Sequence, residues 1–245
     1  MEFIIYALIF LMGSFIGSFT TLAVYRIPLG QDILYTHSYC PNCKKKLSTL
    51  DLIPIASYLM LRGKCRQCGE KIRIRYLLLE IFSGIIMLLF VISTGFNPYQ
   101  LDINLLINTA FYVIFITTLV IIAGIDKEKR QIQKSVLVFG AILGTIFIIY
   151  EFCTKGILEI YPIIILGLML ISLLKMKDYK IKLLTLILYT AIWLNPKLII
   201  INMAILFFAS LIYTKITKKS EKEMQAGFYF SVIAITTLIA SNFIN

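Results

Sequence analysis

The sequence predicts an all-α fold: a polytopic membrane bundle of about eight spans with one small metal-binding segment. Three observations predict it. Hydrophobic residues make up 59% of the 245 residues, where a soluble domain has roughly half, and the mean hydropathy is +0.88. Long uncharged runs recur at close intervals. One stretch, 26–75, breaks that rhythm with basic charge and paired cysteines.

The spans follow in order. Uncharged runs at 3–25, 81–101, 103–125 and 224–245 match the about 20 apolar residues that a ~30 Å hydrocarbon core requires. Shorter runs lie at 135–150, 160–174, 183–196 and 198–214, and the lysines at their ends must snorkel. The first run does not read as a removable leader: it is too long, lacks a basic start and opens on Glu2. Asn-Pro at 97–98 and 195–196 marks turns. No repeat or low-complexity tract stands out. The expected division is a first transmembrane helix over 1–25, a metal-binding domain over 26–75 and the remaining bundle over 76–245.

The net charge of +11 is distributed unevenly. Eight crossings bring the loops 26–75, 126–134, 175–182 and 215–223 to one face, and these hold 22 of the 24 Lys and Arg residues. The positive-inside rule makes that face cytoplasmic and puts the N-terminus outside. The basic excess is therefore topological and suited to anionic lipid headgroups. It does not point to nucleic acid.

Within 26–75, "CPNC" and "CRQC" supply Cys40, Cys43, Cys65 and Cys68. Two Cys-x2-Cys pairs at about this separation can offer four thiolates tetrahedrally to one zinc ion. Disulfides are disfavoured in the cytosol, and Lys44, Lys64 and Arg66 nearby favour thiolates. Structural Zn2+ is thus preferred over a pair of redox dithiols or idle cysteines. A segment this small needs such a staple, and a four-thiolate site is closed to catalysis. His37 reads as a loop histidine. Cys153 reads as a small apolar residue.

Two aspartates stand out. Asp126 follows the uncharged run 103–125, and Asp178 is the single acid among four lysines in 173–182. Position alone allows interfacial charge balanced by lysine. Topology adds a second reading, because the third and fifth spans both run inward and deliver the two carboxylates to one surface. Packed helices lie about 8–10 Å apart. Two close carboxylates do not both ionise easily, so such a pair can act on a water as general base and general acid. Glu80, near the start of the second span, is suited to a polar inter-helix or edge contact.

At this point the chain resembles the prepilin peptidases, or type IV leader peptidases. "GSFIGSFTTLAVYRIP" (13–28) is similar to the family's first helix and its Tyr-Arg-x-Pro exit. Residues 38–80 are similar to its cytosolic zinc domain. The family's Asp-x5-Ile-Pro motif here runs from Asp126 to Ile132-Gln133, and its Gly-x-Gly-Asp-x-Lys motif reads Lys175-Met176-Lys177-Asp178-Tyr179-Lys180. The resemblance implies an aspartic endopeptidase of the bacterial inner membrane. Asp126 and Asp178 would be catalytic, with Lys180 and Glu80 supporting the substrate or a loop. The substrates implied are type IV prepilins or pseudopilins, cut at the cytoplasmic edge of their apolar helix. Many members also methylate the new N-terminus with S-adenosylmethionine; no Gly-x-Gly-x-x-Gly loop occurs here, so that activity rests on the resemblance alone. Lysines replace both motif glycines. That departure motivates an alternative: a membrane-anchored zinc module that binds pilin precursors without cleaving them. The oligomeric state is not legible.

Overall fold

A computed structural model of the chain describes residues 2–100, 102–156, 159–176, 178–217 and 224–244. Among the described residues there is no strand, only two isolated bridges inside the cysteine segment. The chain forms two compact units, Met1–Thr109 and Ala110–Asn245.

In the first unit, α1 (Glu2–Arg26) packs along α3 (Ile74–Ser93). Small residues set this contact. A Cβ added at Gly13 would lie 2.5 Å from the Met87 Cβ, and one at Gly17 would lie 2.9 Å from the Glu80 Cα. This is close backbone approach through a small-xxx-small face, the usual means by which apolar helices associate where lipid removes the hydrophobic drive. Pro28 ends α1, having no N–H to continue it, and a 3-10 turn follows at Ile27–Leu29. Arg26 is buried. Its guanidinium donates to the carbonyls of Asp32 (3.0 Å), Thr36 (2.8 Å) and His37 (2.9 Å), which gathers the start of the cysteine segment onto the end of α1. A second 3-10 turn (Thr49–Leu52) and the short α2 (Ala56–Met60) complete that segment.

The second unit takes α4 (Ile103–Lys129) from Ala110 onward, then α5 (Lys134–Lys155), α6 (Ile160–Leu174), α7 (Tyr179–Trp193), α8 (Pro196–Thr217) and α9 (Ala226–Ile244). α7 is its hub and packs on α5, α6, α8 and α9. Gly140 of α5 makes room for the Tyr189 ring, which a Cβ there would approach to 2.8 Å. The Tyr189 hydroxyl pairs with Thr118 of α4 at 2.6 Å, and Trp193 stacks on Phe147 and Phe115 at 4.5 and 5.0 Å. Hydroxyls are paired across helices again at Ser172–Thr185 (2.9 Å) and Thr237–Asn202 (2.8 Å).

Among the described residues, six helices are long and apolar enough to span a bilayer: α1 with its following turn, α3, α4, α5, α8 and α9. This is a multi-pass membrane protein. The sequence leads one to expect about eight spans, and the other two helices, α6 and α7, are shorter. α6 and α7 hold 15 residues each, about 22 Å of helix, which is less than the ~30 Å core. Glu159 and Lys175 bound α6, while Asp178 and the Asn195-Pro196 turn bound α7. Helix α4 departs from expectation in the other direction. It continues past the apolar run, so that Asp126 lies inside its last turn.

Candidate active site and candidate metal centre

The cysteine segment is two copies of one knuckle. Cys40 N–H bonds to the Lys45 carbonyl and Lys44 N–H to the Cys40 carbonyl; Cys65 N–H and Gly69 N–H repeat this with Glu70 and Cys65. The bridges Tyr39–Lys46 and Lys64–Lys71 recur at an offset of 25 residues. Each knuckle turns on one residue with positive φ after its second cysteine, Lys44 (59°) and Gly69 (73°). The repeat escapes a reading by residue identity because it lies in the backbone; only the cysteines and one lysine coincide. Arg66 of the second knuckle is tied at 2.9 Å to Asp51 of the Thr49–Leu52 turn, and Asn42 of the first reaches Glu70 of the second.

Four sulfurs result, all within 4.8 Å of one another, with Cys40 and Cys68 Sγ 3.9 Å apart. Four ligands at Zn–S ≈ 2.3 Å in a tetrahedron stand about 3.8 Å apart, so the cluster can hold a metal ion. Its electrostatics point the same way. The N–H groups of Cys68 and Gln67 pull the Cys65 thiol down to about 7. Cys43 accepts from the Lys45 N–H, yet desolvation and the facing Cys68 and Cys40 sulfurs push it up to about 11. Four thiolates do not coexist here without a cation between them. His37 is exposed and stands outside the cluster.

Glu80 lies on α3 and is buried. Its Oε2 accepts the Ile55 N–H at 2.7 Å. Ile55 has φ 62° and ψ −56°, and the Ala56 N–H returns to the Pro54 carbonyl at 2.6 Å. These values describe a γ-turn of the rare, strained kind, unusual for a β-branched residue. Glu80 therefore holds a loop that its own backbone resists.

The second unit builds the other polar centre around Asp126, which is 0% exposed. The Tyr179 hydroxyl, at the start of α7, donates to its carboxylate, 3.0 Å from Oδ1 and 2.9 Å from Oδ2. The Phe228 N–H in the first turn of α9 donates to Oδ2 at 2.9 Å. First-turn N–H groups lack intrahelical partners, and the helix dipole there favours negative charge. Gly227 permits the approach: a Cβ there would lie 3.0 Å from Asp126 Oδ2 and 3.1 Å from Ile132 Cδ1. Ile132, the isoleucine of the first motif, is fully buried. The Gln225 side chain also bonds the Lys127 carbonyl at 3.0 Å, and Lys127 Nζ lies 4.6 Å from the Phe228 ring centre.

Residues 11–94 match the family model of the bacterial peptidase A24 N-terminal domain. The chain is 34% identical over 133 residues to the prepilin leader peptidase/N-methyltransferase of Bacillus subtilis, covering 54% of this chain and 50% of that protein. It is 32% identical over 136 residues to the protein of that name from Myxococcus xanthus, covering 56% and 38% respectively. Over about half of its length the chain is thus similar to prepilin leader peptidase/N-methyltransferases. A third prepilin peptidase relative, from Vibrio cholerae, is 37% identical over 94 residues, covering 35% of this chain and 37% of that protein. The matches thus span half or less of these relatives' length. No solved structure matches.

The expected site residues are distributed as follows. Cys40, Cys43, Cys65 and Cys68 converge. Asp126 is buried in a cradle of donors, whereas Asp178 is exposed at the N-cap of α7 and makes no side-chain cap bond. Among the described residues, the bonds to the Asp126 carboxylate come from Tyr179 and Phe228, not from Asp178. Lys180 is exposed in the first turn of α7, Lys175 is exposed at the end of α6, and Lys177 lies outside the described residues. Sequence reasoning passes over Tyr179, Gly227 and Phe228. A phenol beside the motif acid is the one local signal; the α9 contributions carry none.

Proposed function

We propose that the chain is a membrane aspartic endopeptidase that removes the leader from type IV prepilins or pseudopilins at the cytoplasmic membrane face. The observation that carries this reading is Asp126: a fully buried carboxylate at the end of a membrane helix, met by prepared donors, in a chain whose N-terminal part matches a peptidase family. Ionisable groups placed so expensively are functional by default. Asp126 and Asp178 form the acid pair, one activating water and the other protonating or orienting the scissile carbonyl. Asp178 stands one residue before Tyr179, so the first turn of α7 that reaches Asp126 also carries the second acid. Glu80 supports the loop at Ile55, and Lys180, beside Asp178, assists the substrate.

The bacterial inner membrane is the site of action, with the N-terminus outside; counting α6 and α7 as crossings despite their length brings 22 of the 24 Lys and Arg residues to one face, which supports this orientation. Cys40, Cys43, Cys65 and Cys68 hold Zn2+, which folds the segment and takes no chemical step. Methylation of the new amine with S-adenosylmethionine is what the relatives' name offers. The chain has no glycine-rich loop suited to that cofactor, and no step is assigned to it. A second reading, a zinc module that binds pilin precursors without cutting, is favoured by the exposed Asp178 and by Lys175 where the family has glycine. Cleavage of a prepilin by the detergent-purified protein, wild type against Asp126→Ala, separates the two. The peptidase reading expects cutting that the variant loses. No cutting by the wild type, with prepilin still bound, favours the module.

A further inference from the structure

The hydroxyl of Tyr179 has one proton to give. It also accepts the Gly227 N–H at 3.0 Å. With that lone pair engaged by α9, its proton is directed at the Asp126 carboxylate, where it lies 3.0 and 2.9 Å from the two oxygens. The chain Gly227 N–H to Tyr179 O–H to Asp126 links three helices far apart in sequence: the separations are 48 and 53 residues. A hydrogen bond to an ionised group is shorter and stronger than a neutral one, and linked donors polarise one another.

We propose that Tyr179 is a positioning residue of the peptidase reaction: its hydroxyl, aimed by the Gly227 N–H, fixes the orientation of the Asp126 carboxylate and couples it to the segment that carries Asp178. This rests on the peptidase reading of Asp126. Neither of the family's acid motifs, as they stand in this chain, calls for a phenol at this position. The part it plays is to keep both carboxylate oxygens in one rotamer, so that substrate meets an acid already oriented.

The test uses the full-length protein in detergent with a prepilin substrate. Tyr179→Phe keeps the ring and removes the hydroxyl. Its kcat should fall roughly 10- to 100-fold, the size of a charge-assisted hydrogen bond. Its KM should stay near wild type, because an interaction that acts on the chemical step alone leaves substrate binding in place. Its melting temperature should fall by only a few degrees, the cost of one buried hydrogen-bonding group, with the protein still folded. Wild-type kcat in Tyr179→Phe, while Asp126→Ala is inactive, overturns the proposal and leaves the peptidase reading intact. Full activity in Asp126→Ala overturns the peptidase reading instead. A second measurement does not depend on activity: modification of Asp126 by an apolar carbodiimide, read by mass spectrometry. Tyr179→Phe should be modified several-fold faster than wild type, since its carboxyl has lost a partner and a neighbour. Equal rates overturn the proposal whatever the cleavage assay gives.

Discussion

The two polar centres of this protein gather negative charge in opposite ways. In the first unit, four cysteine sulfurs lie within 4.8 Å of one another, and only an added cation reconciles their charges. In the second, a single carboxylate is enclosed by groups the chain itself provides: a phenol from α7 and a backbone N–H from α9. The first centre is built by short-range turns and works as a staple. The second is built by tertiary packing around one acid, and among the described residues Asp178 takes no part in its hydrogen bonds.

Breaking the first centre should have the largest structural effect. Cys40→Ser should lose the metal and loosen residues 38–75, because apparent binding of structural zinc contributes on the order of 10–16 kcal/mol to such small domains. Metal analysis should find one zinc per wild-type chain and little or none in the variant, with new proteolytic cuts confined to that segment. Zinc-free wild type with the same protease pattern as the zinc-loaded form would remove the contrast between the two centres.

The second centre should respond to a single methyl group. Gly227→Ala places a Cβ 3.0 Å from Asp126 Oδ2, and overpacking of this kind costs about 1–3 kcal/mol. Cleavage should fall about tenfold or more while zinc content stays at one per chain. The two centres should fail independently. If Gly227→Ala cuts at the wild-type rate, close approach of α9 is not needed for the site.

The smallest effect is expected at Glu80. Glu80→Gln keeps an acceptor for the Ile55 N–H but removes its charge, which should lower stability by about 1 kcal/mol. A small drop in melting temperature with zinc retained checks this. An unchanged melting temperature would mean that the γ-turn at Ile55 holds without the carboxylate.

The same difference between the centres decides what the sequence discloses. Cys40, Cys43, Cys65 and Cys68 are legible because the spacing of two knuckles is itself the geometry. The helical bundle is legible because apolar length maps onto span length, and the signal is weakest at α6 and α7, which hold 15 residues each. Asp126 is visible as an acid at the end of an uncharged run. Its cradle is not, because Tyr179 and Phe228 lie 53 and 102 residues away; Tyr179 is marked only by its place beside Asp178, and nothing in the local sequence marks Phe228. Ile132 belongs to a motif, but its reason, packing against Gly227 beside the acid, exists only once α9 is in place.

The central claim is that Asp126 and Asp178 act as a pair although one is buried and the other exposed. Cleavage of prepilin by Asp178→Asn, beside wild type and Asp126→Asn, tests it most directly. General acid–base catalysis contributes roughly 10²–10⁴-fold, so each variant should lose about 10³-fold or more while still binding the substrate's apolar helix. Asp178→Asn cutting at close to the wild-type rate would contradict the pair and leave Asp178 as a charge at the membrane edge.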